Sequence, residues 1–221
     1  MTPRKEVPVF FVLDTSGSVS SCRVSLLNRF MGAVFSELAQ ISENCADARM
    51  KIAVLSFNTR VTWADLGGDT QPWMEDAVWN GVPVGGLSCL GEALKELNRK
   101  LNRGEMLAAP AGIRRPILFF FLDGWPNDDW LPELEALQKN PWYGEAVKCA
   151  FAMSGDTDCG VLARLVGNPE AVFRVKDPEY YLDPISYLPM IIKAVLGGDP
   201  SCDCLLEPEE GQEPDFGSDW A

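Results

Sequence analysis

Histidine is absent from all 221 residues. That absence removes Ser–His and Cys–His nucleophilic pairs, histidine general bases and every zinc site that relies on imidazole. Long apolar runs are missing too. The longest, Ile117–Leu122, falls far short of the ~20 residues a membrane helix needs. Met1-Thr2-Pro3-Arg4-Lys5-Glu6 leads straight into a strand-like segment, so the reading expects no signal peptide, no membrane contact and a cytoplasmic chain. Positive charge is scarce: 19 Lys and Arg stand against 32 Asp and Glu, a net charge of −13. Nucleic-acid binding through phosphates needs clustered Lys and Arg, so the balance argues against it. Zinc-type cysteine pairing is lacking as well. The seven cysteines are odd in number and contain no CxxC, the pattern of ordinary thiols in a reducing compartment.

What is present suits one sizeable core. The chain is 47% hydrophobic and 10% aromatic, and its length favours a single domain over two. Residues 199–221 carry eight acidic side chains and no basic one, leaving 24 acidic against 19 basic in the rest. The expected division is therefore a folded body over residues 1–198 and an acidic, flexible tail over 199–221. Phe216 and Trp220 in that tail fit either docking on a basic groove or a merely solubilising role. Cys149 lies in an apolar run and reads as a core residue. Cys202-Asp203-Cys204 is the one place where thiol metal or redox chemistry stays open. There is no internal repeat.

The hydrophobic pattern alternates between two periods. Val7–Leu13 is a continuous apolar run, the mark of a strand buried on both faces. Ser25–Ile41 shows helical spacing through Leu26, Leu27, Phe30, Met31, Val34, Phe35, Leu38 and Ile41. Lys51–Phe57 is a second buried strand, and Val61–Leu66 a short third one paired to it as a hairpin. Gly67–Gly86 reads as a long loop with a short helix near Met74–Trp79. In this loop region, Trp63, Trp73 and Trp79 offer either a contact surface or cover for one sheet edge. A helix over Leu90–Leu101, the strand Pro116–Leu122, a helix over Leu131–Gln138 and the strand Val147–Met153 come next. The pattern closes with a helix at Gly160–Val166, a strand at Ala171–Val175 and a helix at Ile185–Leu196, ended by Gly197-Gly198. This is an α/β fold: a Rossmann-like, doubly wound, mainly parallel six-stranded sheet with one short antiparallel edge strand and helices on both faces.

In open α/β sheets, ligands sit beyond the carboxyl ends of the strands. The first strand is followed by Asp14-Thr15-Ser16-Gly17-Ser18, and PILFFFL by Asp123-Gly124. Gly85-Gly86-Leu87-Ser88 lies just before the Leu90 helix. If the two strands are neighbours, Asp14, Ser16, Ser18, Ser88 and Asp123 converge on one edge. Every donor in that set is a hard oxygen, which favours Mg²⁺, with Mn²⁺ or Ca²⁺ as alternatives, over zinc or copper. Only two donors are charged, so a bound ion stays electrophilic, and a partner's Asp or Glu is the natural last ligand. Plainer readings stand beside this one. Asp14 and Ser16, or Ser88, could simply cap helices, and Asp123-Gly124 could be only a turn. Trp125, Asp128, Asp129 and Trp130 follow Asp123 and offer a rim for a partner to read. Alternatively, Asp128 caps the Leu131 helix while both Trp side chains pack. Cys22 and Cys89 flank the candidate site without an assigned role.

The set DTSGS, GLSCLGEAL and FFFLDGWPNDDW resembles a von Willebrand factor A domain with a metal-ion-dependent adhesion site. It is similar in particular to the TerY-like proteins found in bacteria with tellurite-resistance and stress systems. The resemblance spans about residues 6–197. It implies that Asp14, Ser16 and Ser18 belong to the first metal-binding motif, and Asp123 is the strand-end aspartate. Ser88 stands where the family usually has threonine, and the segment after Ser18 lacks the usual Gly and Pro-Ile pattern. The implied function is a non-enzymatic, cation-dependent protein-binding module; the resemblance associates such proteins with a protein phosphatase and a kinase-like protein.

The competing class is a Mg²⁺-dependent phosphoryl-transfer enzyme with Asp14 as nucleophile. Haloacid-dehalogenase-like chemistry would want a second aspartate where Ser16 stands. Receiver-like chemistry would want a lysine at a late strand end, yet Lys148 opens its strand. Neither GxGxxG nor GxxxxGK[ST] occurs, so a nucleotide phosphate cradle is absent. Adhesion outside the cell would need export signals that the reading does not find.

Overall fold

Strands that carry no polar alternation must be covered on both sides, and the chain obeys that constraint along its centre. In the computed structural model, which describes residues 4–17, 21–101, 112–155, 157–174 and 187–197, β1 (Lys5–Asp14) is buried from Glu6 onward and all six residues of β4 (Ile117–Leu122) are buried. The other strands are β2 (Ala48–Phe57), β3 (Val61–Trp63), β5 (Val147–Ala152) and β6 (Val172–Arg174). The helices are α1 (Ser21–Asn44), α2 (Leu90–Leu101), α3 (Leu131–Gln138), α4 (Pro141–Glu145), α5 (Cys159–Val166) and α6 (Tyr187–Gly197).

The sheet order is β3-β2-β1-β4-β5-β6. Every pair is parallel except β2 with β3, which form the expected antiparallel hairpin at one edge. Helices cover both faces, giving the Rossmann-like architecture read from the alternating periods. The chain leaves β1 to build one half of the sheet, then returns to its other side at β4. Winding thus reverses between β1 and β4, the gap where an open α/β sheet has room for a ligand. Pro8 is accommodated in the central strand because it precedes this pairing: β1 meets β4 only from Val9, paired with Ile117. Glu6, two residues earlier, donates to Gly112 O on that same side at 3.1 Å. The proline nitrogen therefore faces the stretch before β4, where no ladder bond is lost.

An aromatic row crosses the sheet in register. Phe121, Phe151 and Phe173 are aligned partners on β4, β5 and β6, with ring centroids 4.7 Å and 5.2 Å apart. Tyr187 at the start of α6 stacks on Phe173 at 5.5 Å, and Phe30 of α1 meets Phe121 at 5.8 Å. Successive inward side chains on a strand share a face, so one row of rings ties three strands to two helices.

Differences from the sequence pattern are local. β3 stops at Trp63 rather than Leu66: the last bond to β2 is Ala64 N–H to Val54 O at 2.8 Å, and beyond it Leu66 N–H donates to Asp69 O at 2.7 Å. The short helix in the long loop is one 3₁₀ turn, Met74–Asp76. A further helix, α4, has no apolar period to announce it. It is set by Asn140, whose side chain accepts from Trp142 N–H at 2.9 Å, followed by Pro141 at the first helical position. The loop tryptophans cover the body. Trp63 Nε1 donates to Glu96 at 2.7 Å, Trp79 Nε1 to Asn28 O at 3.0 Å, and Trp73 forms an isolated bridge with Lys51. Cys149 is fully buried, as expected. Val175, residues 185–186 of the closing helix, Gly198 and the whole tail over 199–221, with Cys202, Cys204, Phe216 and Trp220, lie outside the described residues. No described helix is long and apolar enough to cross a membrane.

Phe121→Ala would empty the middle of the aromatic row, where the ring is 2% exposed. A loss of about 3–5 kcal/mol in unfolding free energy is expected, measured by urea denaturation; a loss below 1 kcal/mol would show the row is not a core element.

Candidate metal centre

Three loops meet above the β1–β4 gap. The first begins at Asp14, the last residue of β1. Backbone pairing continues past the strand end: Thr15 N–H donates to Phe57 O at 2.8 Å, and its hydroxyl donates to the same oxygen at 3.2 Å. The loop is then clasped by the segment leading to α2. Gly85 N–H donates to Thr15 O at 3.0 Å, and Gly17 N–H to Gly86 O at 2.7 Å. Gly86 is required where it stands. Its φ of +90° is rare for an L side chain, and an added Cβ would run into the Thr59 hydroxyl. That hydroxyl in turn accepts from Leu87 N–H at 2.9 Å.

Ser88 is locked to the third loop by a reciprocal pair. Its N–H donates to Asn127 Oδ1 at 2.8 Å, and Asn127 N–H donates to Ser88 O at 2.7 Å. Asp123 follows β4 directly. Its carbonyl accepts from Ser154 Oγ at 2.7 Å, which ties the β4 end to the β5 end.

Asp14 is the centre of the cluster. It is 3% exposed, and Ser16, Ser88 and Asp123 are similarly buried at 2–3%. Asp14 Oδ1 accepts from Ser16 N–H at 2.9 Å, and Oδ2 from Ser88 Oγ at 2.8 Å. The Ser16 hydroxyl and the Asp123 backbone N–H also donate to this carboxylate. The structure therefore brings Asp14, Ser16, Ser88 and Asp123 together, as the spacing predicted; Ser18 lies outside the described residues. The helix-capping alternative fails for Ser88, whose hydroxyl turns to Asp14.

Burial pushes the Asp14 carboxyl above its ordinary value of 3.8, and the donors from Ser16, Ser88 and Asp123 only partly offset it. No lysine or arginine contributes to that balance, and the ion pairs among the described residues do not include Asp14. Two aspartates are thus buried in one cluster, and among the described residues no cation pairs with Asp14. The sign follows: ionised Asp14 costs the bare fold stability above pH 3.8, and the cost is relieved as pH falls through the raised folded value. Because Ser88 gives its proton to Asp14, its hydroxyl oxygen keeps acceptor capacity. This donor set suits a hard cation. No group of three or more Cys, Asp or Glu with metal-holding placement exists among the described residues, so soft or all-carboxylate sites are not formed there.

The surrounding residues divide by exposure. Trp125 is 66% exposed and Asp129 is exposed, whereas Trp130 is half-buried against the core. Asp128 does not cap α3, which begins after Trp130 without a side-chain cap. It turns to α2 instead, where Glu92 N–H donates to its Oδ2 at 3.4 Å. Gly91 permits this approach, since a Cβ there would meet Asp129 O and Trp130 Cα at 3.2 Å. Cys89 is a free, half-buried thiol; burial first, then Asp128, Glu92 and Asp14, push its pKa up, so it stays protonated. Asn58, Thr59, Asn127 and Ser154 were not legible as site residues. Loop polar residues carry no period, and their partners are 28–43 positions away.

A family profile for the von Willebrand factor type A domain matches residues 9–185. The chain belongs to that family. Solved structures agree on the fold of this VWA domain. Proximal thread matrix protein 1 from the mussel byssus, determined with a zinc-occupied MIDAS motif, superposes at TM-score 0.62 with 16% identity, covering 91% of this chain and 48% of that one. A von Willebrand factor type A protein from Catenulispora acidiphila gives TM-score 0.62 at 13% identity, covering 84% and 42%. Manganese-loaded TRAP protein of Plasmodium vivax gives 0.55 at 14%, covering 82% and 73%. The VWA chain spans about half the length of the first two. No curated protein sequence matches it.

The Ser88–Asn127 pair generates a prediction. Asn127→Ala should cost about 1 kcal/mol in urea unfolding, whereas Asp129→Ala, at an exposed position of the same loop, should stay within about 0.5 kcal/mol. Equal effects would show that the pair does not hold the loops together.

Proposed function

We propose that this VWA domain is a non-enzymatic, divalent-cation-dependent protein-binding module. The observation that carries the reading is the buried Asp14 carboxylate, on which donors from three separate loops converge with no balancing cation among the described residues. Asp14, Ser16, Ser18, Ser88 and Asp123 would hold the ion. Mg²⁺ is the expected occupant, with Mn²⁺ or Ca²⁺ as alternatives, given an all-oxygen donor set. The zinc-occupied MIDAS of the mussel protein and the manganese-loaded TRAP protein support a divalent cation in this fold.

When bound, the ion supplies a Lewis-acidic position for a partner's Asp or Glu carboxylate. The protein's own part is preorganisation. Clasped loops hold the oxygens in place before any ligand arrives, so little ordering entropy is lost on association. α2 begins two residues after Ser88, placing the positive end of its dipole toward the incoming anion. The motif LDGWPNDDW supports a TerY-like branch, hence a role in a stress or tellurite-resistance system beside a phosphatase or kinase-like partner in the cytoplasm.

Two features favour binding over phosphoryl transfer. Both Asp14 oxygens already accept hydrogen bonds inside the fold, which blunts a nucleophile. Lys148 is the second residue of β5, and its ammonium donates to Tyr143 O at 2.9 Å and Ala146 O at 3.1 Å, at the strand end remote from Asp14.

Thermal melting tests the ion. Mg²⁺ at a hundredfold excess over its dissociation constant should add about 2.7 kcal/mol by mass action, a rise of about 5–10 °C for a chain of this size. Asp14→Asn should abolish the rise, and an equal response in both proteins would overturn the metal reading. Affinity capture from native lysate, analysed by mass spectrometry, tests the module. Partners recovered in Mg²⁺ should vanish in EDTA and with Asp14→Asn; retention in EDTA would remove the ion from recognition. Turnover of p-nitrophenyl phosphate abolished by Asp14→Asn would replace the binding reading with the enzymatic one.

A further inference from the structure

Beside the metal centre, the β4–α3 loop and the start of α5 enclose a cleft of about 290 Å³, lined by Trp125, Pro126, Trp130, Asp158, Val161 and Arg164. It is continuous with the centre through the backbone, since Trp125 lies two residues after Asp123. Two exposed apolar side chains flank the centre, and one of them, Trp125, lines the cleft. Trp125 at 66% and Leu87 at 59% are the two most exposed large hydrophobic side chains described, and each stands beside a residue of the centre, Leu87 next to Ser88. The loops bearing them are locked to one another by the Ser88–Asn127 pair. A rigid, exposed indole at a cleft mouth is the kind of group that dominates protein interfaces.

The polar wall is equally specific. Asp158 spends Oδ1 on the N-terminus of α5, accepting from Gly160 N–H at 2.8 Å and Val161 N–H at 3.4 Å. Arg164 is exposed and takes part in no ion pair among the described residues, in a chain with 13 more acidic than basic groups. A second copy of so acidic a chain is a poor occupant for electrostatic reasons. A segment of another protein fits when it carries acids only at discrete points of an otherwise uncharged stretch, because Arg164 is a guanidinium placed for one carboxylate while Asp158 beside it repels a second.

We infer that this cleft is a side-chain subsite that sets partner specificity. It takes a bulky apolar residue from a partner-protein segment whose carboxylate meets the Asp14–Asp123 centre, and Arg164 pairs with a second acidic residue of that segment. The inference rests on the cation-dependent reading above. The partner is thereby described by chemistry: an exposed stretch carrying an acid, then a large apolar side chain, then another acid.

Selection of random dodecapeptides displayed on phage, against the full chain in Mg²⁺, tests it. Enriched peptides, resynthesised and titrated calorimetrically, should carry that pattern. They should lose about tenfold or more in affinity for Trp125→Ala and for Arg164→Glu, both exposed substitutions that should leave melting unchanged. They should lose all binding to Asp14→Asn and in EDTA. Peptides that lack a bulky apolar residue, or that bind Trp125→Ala as tightly as wild type, would overturn the subsite while leaving the metal reading intact. Peptides that need Trp125 yet bind equally in EDTA would overturn the metal reading and, with it, the coupled subsite. Absence of any enriched acidic peptide would overturn both.

Discussion

A carboxylate buried without a protein countercharge is a cost that a fold carries only when something else depends on it. Among the described residues, Asp14 is such a group. Its desolvation outweighs the donors from Ser16, Ser88 and Asp123, which reach it from three loops that are also clasped to one another at Gly17–Gly86 and Ser88–Asn127. Remove the carboxylate, and Ser88 Oγ loses its acceptor. The loops above the β1–β4 gap are organised around that charge. The sheet beneath supplies the rigidity that keeps it in place.

That rigidity has a plain origin. Strands buried on both faces are held in register by close packing of unequal side chains, which a slip would force into clashes and voids. The in-register row of Phe121, Phe151 and Phe173 fixes β4 against β5 and β6, and β4 delivers Asp123 beside the end of β1. Packing in the core thus becomes placement at the rim. The same logic explains why the candidate centre and the neighbouring cleft form one surface. Asp123, Trp125 and Trp130 belong to a single loop anchored at both ends, by Ser154 on Asp123 O and by the 128–130 backbone lying on Gly91.

Function in this family lies in such loops and not in the fold itself. The matched structures share the sheet at 13–16% identity, which speaks for architecture alone. The local features of this chain are Ser88 on the Asp14 carboxylate, the clasp between Gly17 and Gly86, and an exposed Trp125 that shares a cleft with Arg164.

Much of this was legible from residues alone. Continuous apolar runs and period-3.6 stripes located the six described strands and five of the six described helices, because apolar burial writes itself into spacing. The hydroxyls and carboxylates of Asp14, Ser16, Ser88 and Asp123 were legible because they sit at strand ends and a helix start, positions that a parallel sheet turns into a ligand edge. Helix α4 escaped because a single polar cap and one proline carry it. Residues such as Asn58, Asn127 and Ser154 escaped because a hydrogen bond between distant loops leaves no mark in either loop's own sequence. Asp128 shows the limit best. Its position suggested a cap for the helix just ahead, and the fold aimed it at α2, 36 residues back. Local spacing determined which elements exist and which oxygens stand at their ends; only tertiary packing decided which loops meet, because long-range contacts are set by the order of strands in the sheet and not by neighbours along the chain.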